Sequence, residues 1–187
     1  MTDDLRLHID APHGGILDIT DEVDRPIYTF GFVKPHAYAR RSEIMDDIWH
    51  LSEKRQTPLY VFREKDDQIT PELAVQHYWA HRDRPFFQDL IKMVTGDVHS
   101  FVLAGRDAIP YFRALLGATD SSKAEPGTLR HKYGEPARGF AYNAVHGSDG
   151  LQSVVTETAL HFGRDELDPI VWQRIDAYKQ WLDHMNL

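Results

Sequence analysis

The chain has 187 residues, of which 42% are hydrophobic and 27% charged, with a formal net charge of −8 and no cysteine. A chain of roughly 150 residues buries about 70% of its unfolded surface, so this length has room for one well-packed domain without a staple. The lack of cysteine excludes disulfides and thiolate metal sites, and the acidic balance argues against a nucleic-acid polyanion as main partner, because that binding rests on Lys and Arg neutralising phosphates.

The opening Met1-Thr2-Asp3-Asp4 has neither the positive segment nor the apolar segment of a secretory signal, and no apolar run approaches membrane-spanning length. A soluble, cytoplasmic protein with no membrane partner is expected. Residues 1–25 are acidic and broken by Pro12, Gly14 and Gly15, and read as an arm outside the main core. From Ile27 to Val33 the chain alternates, with Tyr28, Phe30 and Phe32 on one side and Thr29, Gly31 and Val33 on the other, which is strand periodicity. Ser42 to Lys54 carries Ile44, Ile48 and Leu51 at helical spacing, and Leu59 to Phe62 reads as a second, short strand.

Thr70-Pro71 is an N-cap followed by the residue suited to a first helical turn, and Phe86 to Val94 resumes as another helix after Pro85. Val98 to Ala104 is a third strand, and Ala108 to Leu116 a helix that tolerates Pro110 in its first turn. Gly117 to Gly139, rich in Gly, Pro, Ser, Lys and Arg, reads as a long loop, a feature usually tied to function. Ala141 to Val145 is strand-like and puts His146 at a strand end. Leu151, Val154, Val155, Thr158 and Phe162 then mark an amphipathic helix, and Pro169 to His184 a peripheral one. Strands and helices in that order fit an α/β sandwich in which helices cover one face of a small sheet.

His146 lies in Asn143-Ala144-Val145-His146-Gly147-Ser148-Asp149, and Glu157 follows on the next helix at the border of its apolar stripe. A neutral imidazole is a good nucleophile near neutral pH once its orientation is fixed, and a carboxylate on one ring nitrogen would fix the tautomer and free the other. The same spacing also suits Glu157 as a solvated helix residue. Arg113, Thr119 and Arg130 group around the long loop, and Lys34 closes the first strand; guanidinium and hydroxyl donors of this kind suit phosphate oxygens, although each alone is ordinary surface material. Adjacent Phe86 and Phe87 cannot both enter one core from a helix, so one is a candidate platform for a base, the alternative being that both are partly buried. His77 and His81, four residues apart on a helix, have a metal-capable spacing but no third ligand in view, and structural or surface roles are expected for them, as solvated positions are for His8, His13 and His50.

In these segments the chain resembles nucleoside diphosphate kinases. The matching stretches are Thr29-Phe30-Gly31-Phe32-Val33-Lys34-Pro35, Gln76-His77-Tyr78, Arg84-Pro85-Phe86-Phe87, Leu116-Gly117-Ala118-Thr119, Pro126-Gly127-Thr128-Leu129-Arg130 and the histidine segment, in the family's order. The resemblance implies a ferredoxin-like αβ sandwich with a small antiparallel sheet covered by helices, spanning 26–166 between the arm at 1–25 and a C-terminal helical extension at 167–187. It implies a homo-oligomer acting on nucleoside di- and triphosphates, and ping-pong transfer of the terminal phosphoryl group through phosphohistidine. His146 would be the nucleophile, Glu157 its orienting carboxylate, and Ser148 and Tyr78 its neighbours. Lys34 and Asn143 would hold sugar hydroxyls and phosphates, Arg113, Thr119 and Arg130 the phosphates, and Phe86 and Leu90 would sandwich the base. Mg²⁺ would ride on the nucleotide phosphates, leaving no metal site on the protein.

Departures from the family are local. Tyr142 stands where the family has arginine and His36 where it has aspartate, and the stretches between Glu43 and Tyr78 and between Arg130 and His146 are longer. A module of the same fold that binds nucleotides with little or no turnover is the alternative that these changes leave open.

Overall fold

A computed structural model describes residues 28–54 and 58–163. The N-terminal arm with His8 and His13, Ile27 and the helix expected over 169–184 lie outside the described residues. Strand β1, Tyr28–Val33, is buried along its whole length. Its alternation holds as the sequence predicts: Tyr28, Phe30 and Phe32 enter one core, and Val33 the other. A 3₁₀ turn over Pro35–Arg40 leads into α1, Arg41–Lys54, whose Ile44 and Ile48 are buried.

Strand β2 runs over Tyr60–Ile69, well past the expected end at Phe62. Its second half, Arg63-Glu64-Lys65-Asp66-Asp67, is charged and carries no apolar periodicity. That half is held by backbone pairing to β3, Gly96–Ala104, with Asp66 opposite His99 and Ile69 opposite Gly96 after an irregularity between Val61 and Arg63. Between them lie α2, Pro71–His77, and α3, Phe87–Val94. α2 starts as predicted, with the Thr70 hydroxyl accepting from the Leu73 N–H at 3.2 Å and Pro71 in the first turn.

Helix α4 covers Ala108–Leu116, matching the expected bounds. The stretch expected as one loop contains a short helix, α5, Leu129–Tyr133, which buries Leu129, Arg130 and Tyr133. The expected strand at Ala141–Val145 is displaced: β4 is Val145–Gly147, so His146 is the middle residue of a three-residue strand and faces Phe32 of β1 in register. Ala144 interrupts the strand before it, with φ 65°. Helix α6, Leu151–Phe162, closes the domain.

The sheet order is β2-β3-β1-β4, and every neighbouring pair is antiparallel. This is the ferredoxin-like sandwich, with a difference from the single covered face expected. α1, α4 and α5 pack on Phe101 and Leu103 on one side, while α2, α3 and α6 pack on Phe30, Phe32 and Val102 on the other. Both faces of β1 and β3 are apolar, and each must be removed from water, so helices cover both.

The register of β4 depends on a small residue opposite it. A Cβ added at Gly31 would lie 2.6 Å from Cε2 of Phe101 and 2.8 Å from the His146 carbonyl oxygen, and the second of these is backbone that cannot swing away. Gly31→Ala should therefore cost about 1–3 kcal/mol, the usual penalty for overpacking. For a domain of this size that is a fall of several degrees in Tm, to be read by calorimetry; an unchanged Tm would mean that β4 is free to move.

Candidate active site

β4 and α6 bring His146 and Glu157 together. The His146 ring stacks on Phe32, with centroids 4.8 Å apart and planes at 22°, because the two residues are opposite each other in register. Nε2 of His146 donates to Oε2 of Glu157 at 2.9 Å, and the Ser148 hydroxyl donates to the same oxygen at 2.6 Å. The Ser148 N–H donates to the Phe30 carbonyl at 3.0 Å, which ties the turn after β4 to β1. With Nε2 engaged, Nδ1 is the free nitrogen, and the Tyr78 hydroxyl from the end of α2 lies 3.5 Å from it.

Charge in this pocket is arranged to keep the imidazole neutral. Burial, then the nearby Lys34 and Arg130 cations, holds the His146 pKa well below the ordinary histidine value. Burial raises Glu157, against the opposing effects of His77 and the Ser148 bond. Burial likewise raises the Tyr78 phenol, so Tyr78 stays protonated and presents its O–H to Nδ1. A buried carboxylate without partners costs several kcal/mol, so the two donors on Oε2 are what make Glu157 tolerable there.

Lys34, directly after β1, is buried, and its ammonium donates to the Ala141 carbonyl at 2.9 Å. Burial, with Arg130 adding to it, pulls its pKa down to about 7. Arg130 on α5 reaches the carbonyl of Val145 through Nε at 3.2 Å and Nη2 at 3.1 Å, and that of Gly117 through Nη1 at 3.1 Å. It thus pins the residue before His146 while lending the pocket a cation, and burial followed by Arg113 lowers it to about 10. Arg113 on α4 is exposed and bears electrostatically on both Arg130 and His146. The Thr119 hydroxyl is 3.5 Å from Nη1 of Arg130, and its carbonyl accepts from Nδ2 of Asn143 at 2.8 Å. Oδ1 of Asn143 is buried with no hydrogen-bond partner.

Beside this cluster an open cleft of about 410 Å³ is lined by Phe86, Leu90, Met93, Phe140, Ala141 and Tyr142, among others. Phe86 projects into it, while Leu90 is a core residue at its base. Phe140, close to His146 in sequence but given no role by sequence reasoning, faces Phe86 edge-on with centroids 5.7 Å apart, and both rings are exposed. The longer stretch before His146 thus supplies the second aromatic wall of the cleft. Arg138 lies over the Tyr142 ring at 4.1 Å, and that ring meets His36 edge-on. His36 in turn accepts the Ala144 N–H through Nε2 at 3.2 Å.

Two further histidines lie beside the His146–Glu157 pair: His77, for which a structural or surface role is expected, and His161, which sequence reasoning missed. His77 is not a surface residue: its side chain is 1% exposed and lies against Glu157. His161 on α6 is buried beside it, with Nε2 3.0 Å from Nδ1 of His77. The available signal was helical spacing, since His161 follows Thr158 by three residues and Val154 by seven, on the stripe that faces the core. His81 is exposed and stands apart from this group, and His50 is exposed as expected.

An antiparallel αβ sandwich holding a neutral imidazole beside three cations and an open aromatic cleft has the architecture of a phosphotransferase. The family model described as nucleoside diphosphate kinase matches residues 28–167, and the chain belongs to that family. It is 40% identical over 140 residues to a nucleoside diphosphate kinase of Thiobacillus denitrificans, covering 74% of this chain and 94% of that protein. It is 38% identical over 173 residues to the Halobacterium salinarum enzyme, covering 89% and 99%. Among solved structures, the apo Encephalitozoon cuniculi nucleoside diphosphate kinase superposes with a TM-score of 0.66 at 28% identity, covering 84% of this chain and 99% of that one. The halophilic H. salinarum enzyme in complex with CDP superposes with a TM-score of 0.64 at 36% identity, covering 79% and 97%.

The depressed Lys34 has a measurable consequence. An anion placed beside its ammonium favours the charged form, so binding raises the lysine pKa above its value of about 7 in the free protein. For a phosphate seated beside it, affinity would be complete below that value, where Lys34 is already charged; as pH rises through it, each binding event would have to take up a proton and affinity would fall. Calorimetry of ADP binding at about pH 8 in buffers of different ionisation heat should show uptake of about one proton, and Lys34→Gln should remove most of it. Identical heats in all buffers would show that Lys34 is charged before the nucleotide arrives.

Proposed function

We propose that this protein transfers the terminal phosphoryl group of a nucleoside triphosphate to a nucleoside diphosphate through a phosphorylated Nδ1 of His146. The observation that carries the reading is the bond from Nε2 of His146 to Glu157 at 2.9 Å, which leaves the Nδ1 lone pair for attack on a ring that the Lys34, Arg130 and Arg113 cations act upon. Nδ1 attacks the terminal phosphorus, the bond from that phosphorus to its bridging oxygen breaks, and the nucleoside diphosphate leaves with the electron pair. The ring proton stays on Nε2, so the phosphorylated ring is cationic, and the Glu157 carboxylate offsets that charge. A second nucleoside diphosphate then takes the phosphoryl group by the reverse path.

Arg113, Arg130 and Thr119 receive the phosphate oxygens, and Lys34 and Asn143 the phosphates and sugar hydroxyls. The orphaned Oδ1 of Asn143 supports that role, because a hydroxyl donor would complete it. Phe86 is the platform for the base, with Leu90 at the base of the cleft and Phe140 opposite. Stacking of this kind is worth about 1–3 kcal/mol per base and is open to every base, since each has a π-face. The donors suit a nucleotide that brings its own Mg²⁺, which would offset the charge of the phosphate oxygens. Residues 26–166 are read as the catalytic unit, working as a homo-oligomer on cytoplasmic nucleotides. Among the described residues, no helix is long and apolar enough to cross a membrane.

Incubation with ATP and Mg²⁺ should give an acid-labile, base-stable phosphate on the protein that is discharged by GDP or dTDP. His146→Ala should abolish the adduct and turnover while nearly preserving nucleotide binding; a folded wild type that forms no adduct refutes the reading. Arg113→Ala should weaken binding and transfer together, by roughly tenfold or more in kcat/KM, as expected for a cation that contacts phosphate in both ground and transition states. A silent Arg113→Ala would take Arg113 out of the phosphate site.

A further inference from the structure

Behind His146, on the core side of the pocket, lies a group of side chains that phosphoryl transfer does not use. His77 ends α2 with its side chain 1% exposed, and its Nδ1 is 3.0 Å from Nε2 of His161. Its Nε2 is buried without a hydrogen-bond partner and points toward Oε1 of Glu157 at 3.6 Å. That distance is too long for a hydrogen bond. When the proton shared by the two imidazoles sits on Nδ1 of His77, Nε2 presents a bare lone pair to a carboxylate oxygen across a gap. Two electron-rich atoms facing each other out of water form an arrangement that a cation between them would satisfy.

Metal geometry fits the gap. One donor atom each from His77, His146 and Glu157 lie within 4.8 Å of one another. Two atoms bound to one tetrahedral zinc at about 2.0–2.1 Å are about 3.3–3.4 Å apart, so the 3.6 Å between His77 and Glu157 needs only slight closing. Two imidazoles and a carboxylate form a known zinc donor set that leaves a fourth position open. His161 occupies the place of the outer partner that fixes the ring of a ligating histidine. Nitrogen donors favour zinc-class ions over Mg²⁺, which prefers an all-oxygen octahedron, so the site would tell such an ion from the Mg²⁺ that travels with nucleotides.

We propose that His77, His146 and Glu157 bind one zinc-class divalent ion, and that its binding switches phosphoryl transfer off. Coordination through Nε2 of His146 forces the ring proton onto Nδ1, where the attacking lone pair has to be. Coordination through Nδ1 takes that lone pair directly. Either way the imidazole is no longer a nucleophile. Only this consequence rests on His146 being the phosphoryl acceptor; the binding site stands on its own geometry.

The test is calorimetric titration of zinc chloride, without nucleotide, into tag-free protein cleared of metal, together with zinc K-edge absorption on the wild-type complex. Expected are one tight site, a spectrum showing two imidazoles with oxygen ligands, and no competition from millimolar Mg²⁺. His77→Gln should lower affinity at least tenfold and His161→Gln by about tenfold or more, the usual cost of losing an outer partner, while His81→Gln should match wild type. Half-inhibition of transfer should follow the zinc dissociation constant and be relieved by a zinc-selective chelator. No tight site in wild type, or a folded His77→Gln that binds zinc as wild type does, overturns the proposal. Should His77→Gln fail to fold, a wild-type spectrum without two imidazoles overturns it as well. Tight zinc binding that leaves turnover untouched removes the regulatory half. Zinc binding as expected in a protein that, freed of zinc and given ATP and Mg²⁺, transfers nothing would keep the site and refute the kinase reading.

Discussion

The bond between Nε2 of His146 and the Glu157 carboxylate is the constraint on which the pocket depends, because it settles which ring nitrogen carries the proton. A free neutral imidazole divides its proton between two positions and turns about its side-chain bonds, and both freedoms work against a reaction that needs a lone pair in one place. Three elements converge to remove them. β4 places the ring on Phe32, α6 brings the carboxylate, and the turn between them brings Ser148, whose backbone is tied to Phe30. None of these contacts is worth more than a few kcal/mol; their value lies in sharing one geometry.

The cations around this ring act in a way that the whole-chain charge conceals. A net charge of −8 gives no long-range attraction for an anionic nucleotide, so capture depends on local charge. Arg130 pushes the proton affinity of Lys34 down and Arg113 that of Arg130, and all three cations disfavour a proton on His146. Without an anion the cluster is repulsive and partly desolvated. A phosphate bound there, as proposed, would relieve that repulsion and so meet the electrostatic cost of assembling the pocket, while the His146 imidazole stays unprotonated.

Much of this was legible in the sequence where side-chain periodicity or chain proximity carried the information. The alternation in β1, the bounds of α4 and the Thr70 cap were readable because each depends on neighbours within a turn or two of chain; the His146–Glu157 pair, eleven residues apart, could be put forward only beside the reading of Glu157 as a solvated helix residue. The second half of β2 was not, since its residues are charged and only the β3 backbone holds them in a strand. Helix α5 is five residues long, too short for a periodic signature, and forms because Leu129 and Tyr133 find a core already built by α1 and α4. His77 and His161 are 84 residues apart, and Phe140 meets Phe86 only through folding. No local pattern announces such pairs. His161 was within reach, because its place on the buried stripe of α6 could be counted.

The departures from the family at His36 and Tyr142 bear on the weakest point of the fold, the entry into β4. Only three residues of β4 pair with β1, and Ala144 just before them takes a left-handed φ of 65°, with the Val145 N–H bonded back to the Asn143 carbonyl at 2.8 Å. That turn costs about 1–2 kcal/mol for a residue with a Cβ. It survives because both polar groups of Ala144 are engaged, the carbonyl by the Lys34 N–H at 2.8 Å and the N–H by Nε2 of His36 at 3.2 Å. An N–H left unpaired there would add about 1–3 kcal/mol, as much again as the strain itself. His36 can accept that N–H only while neutral, and burial followed by Lys34 holds its pKa near 4, so it remains an acceptor throughout the physiological range. Packed against Tyr142 on its other side, the histidine takes over the support of a strained turn one residue away from the strand that carries His146. The altered positions therefore leave His146 seated, and they do so by a neutral acceptor, which adds no anion beside the Lys34 and Arg130 cations.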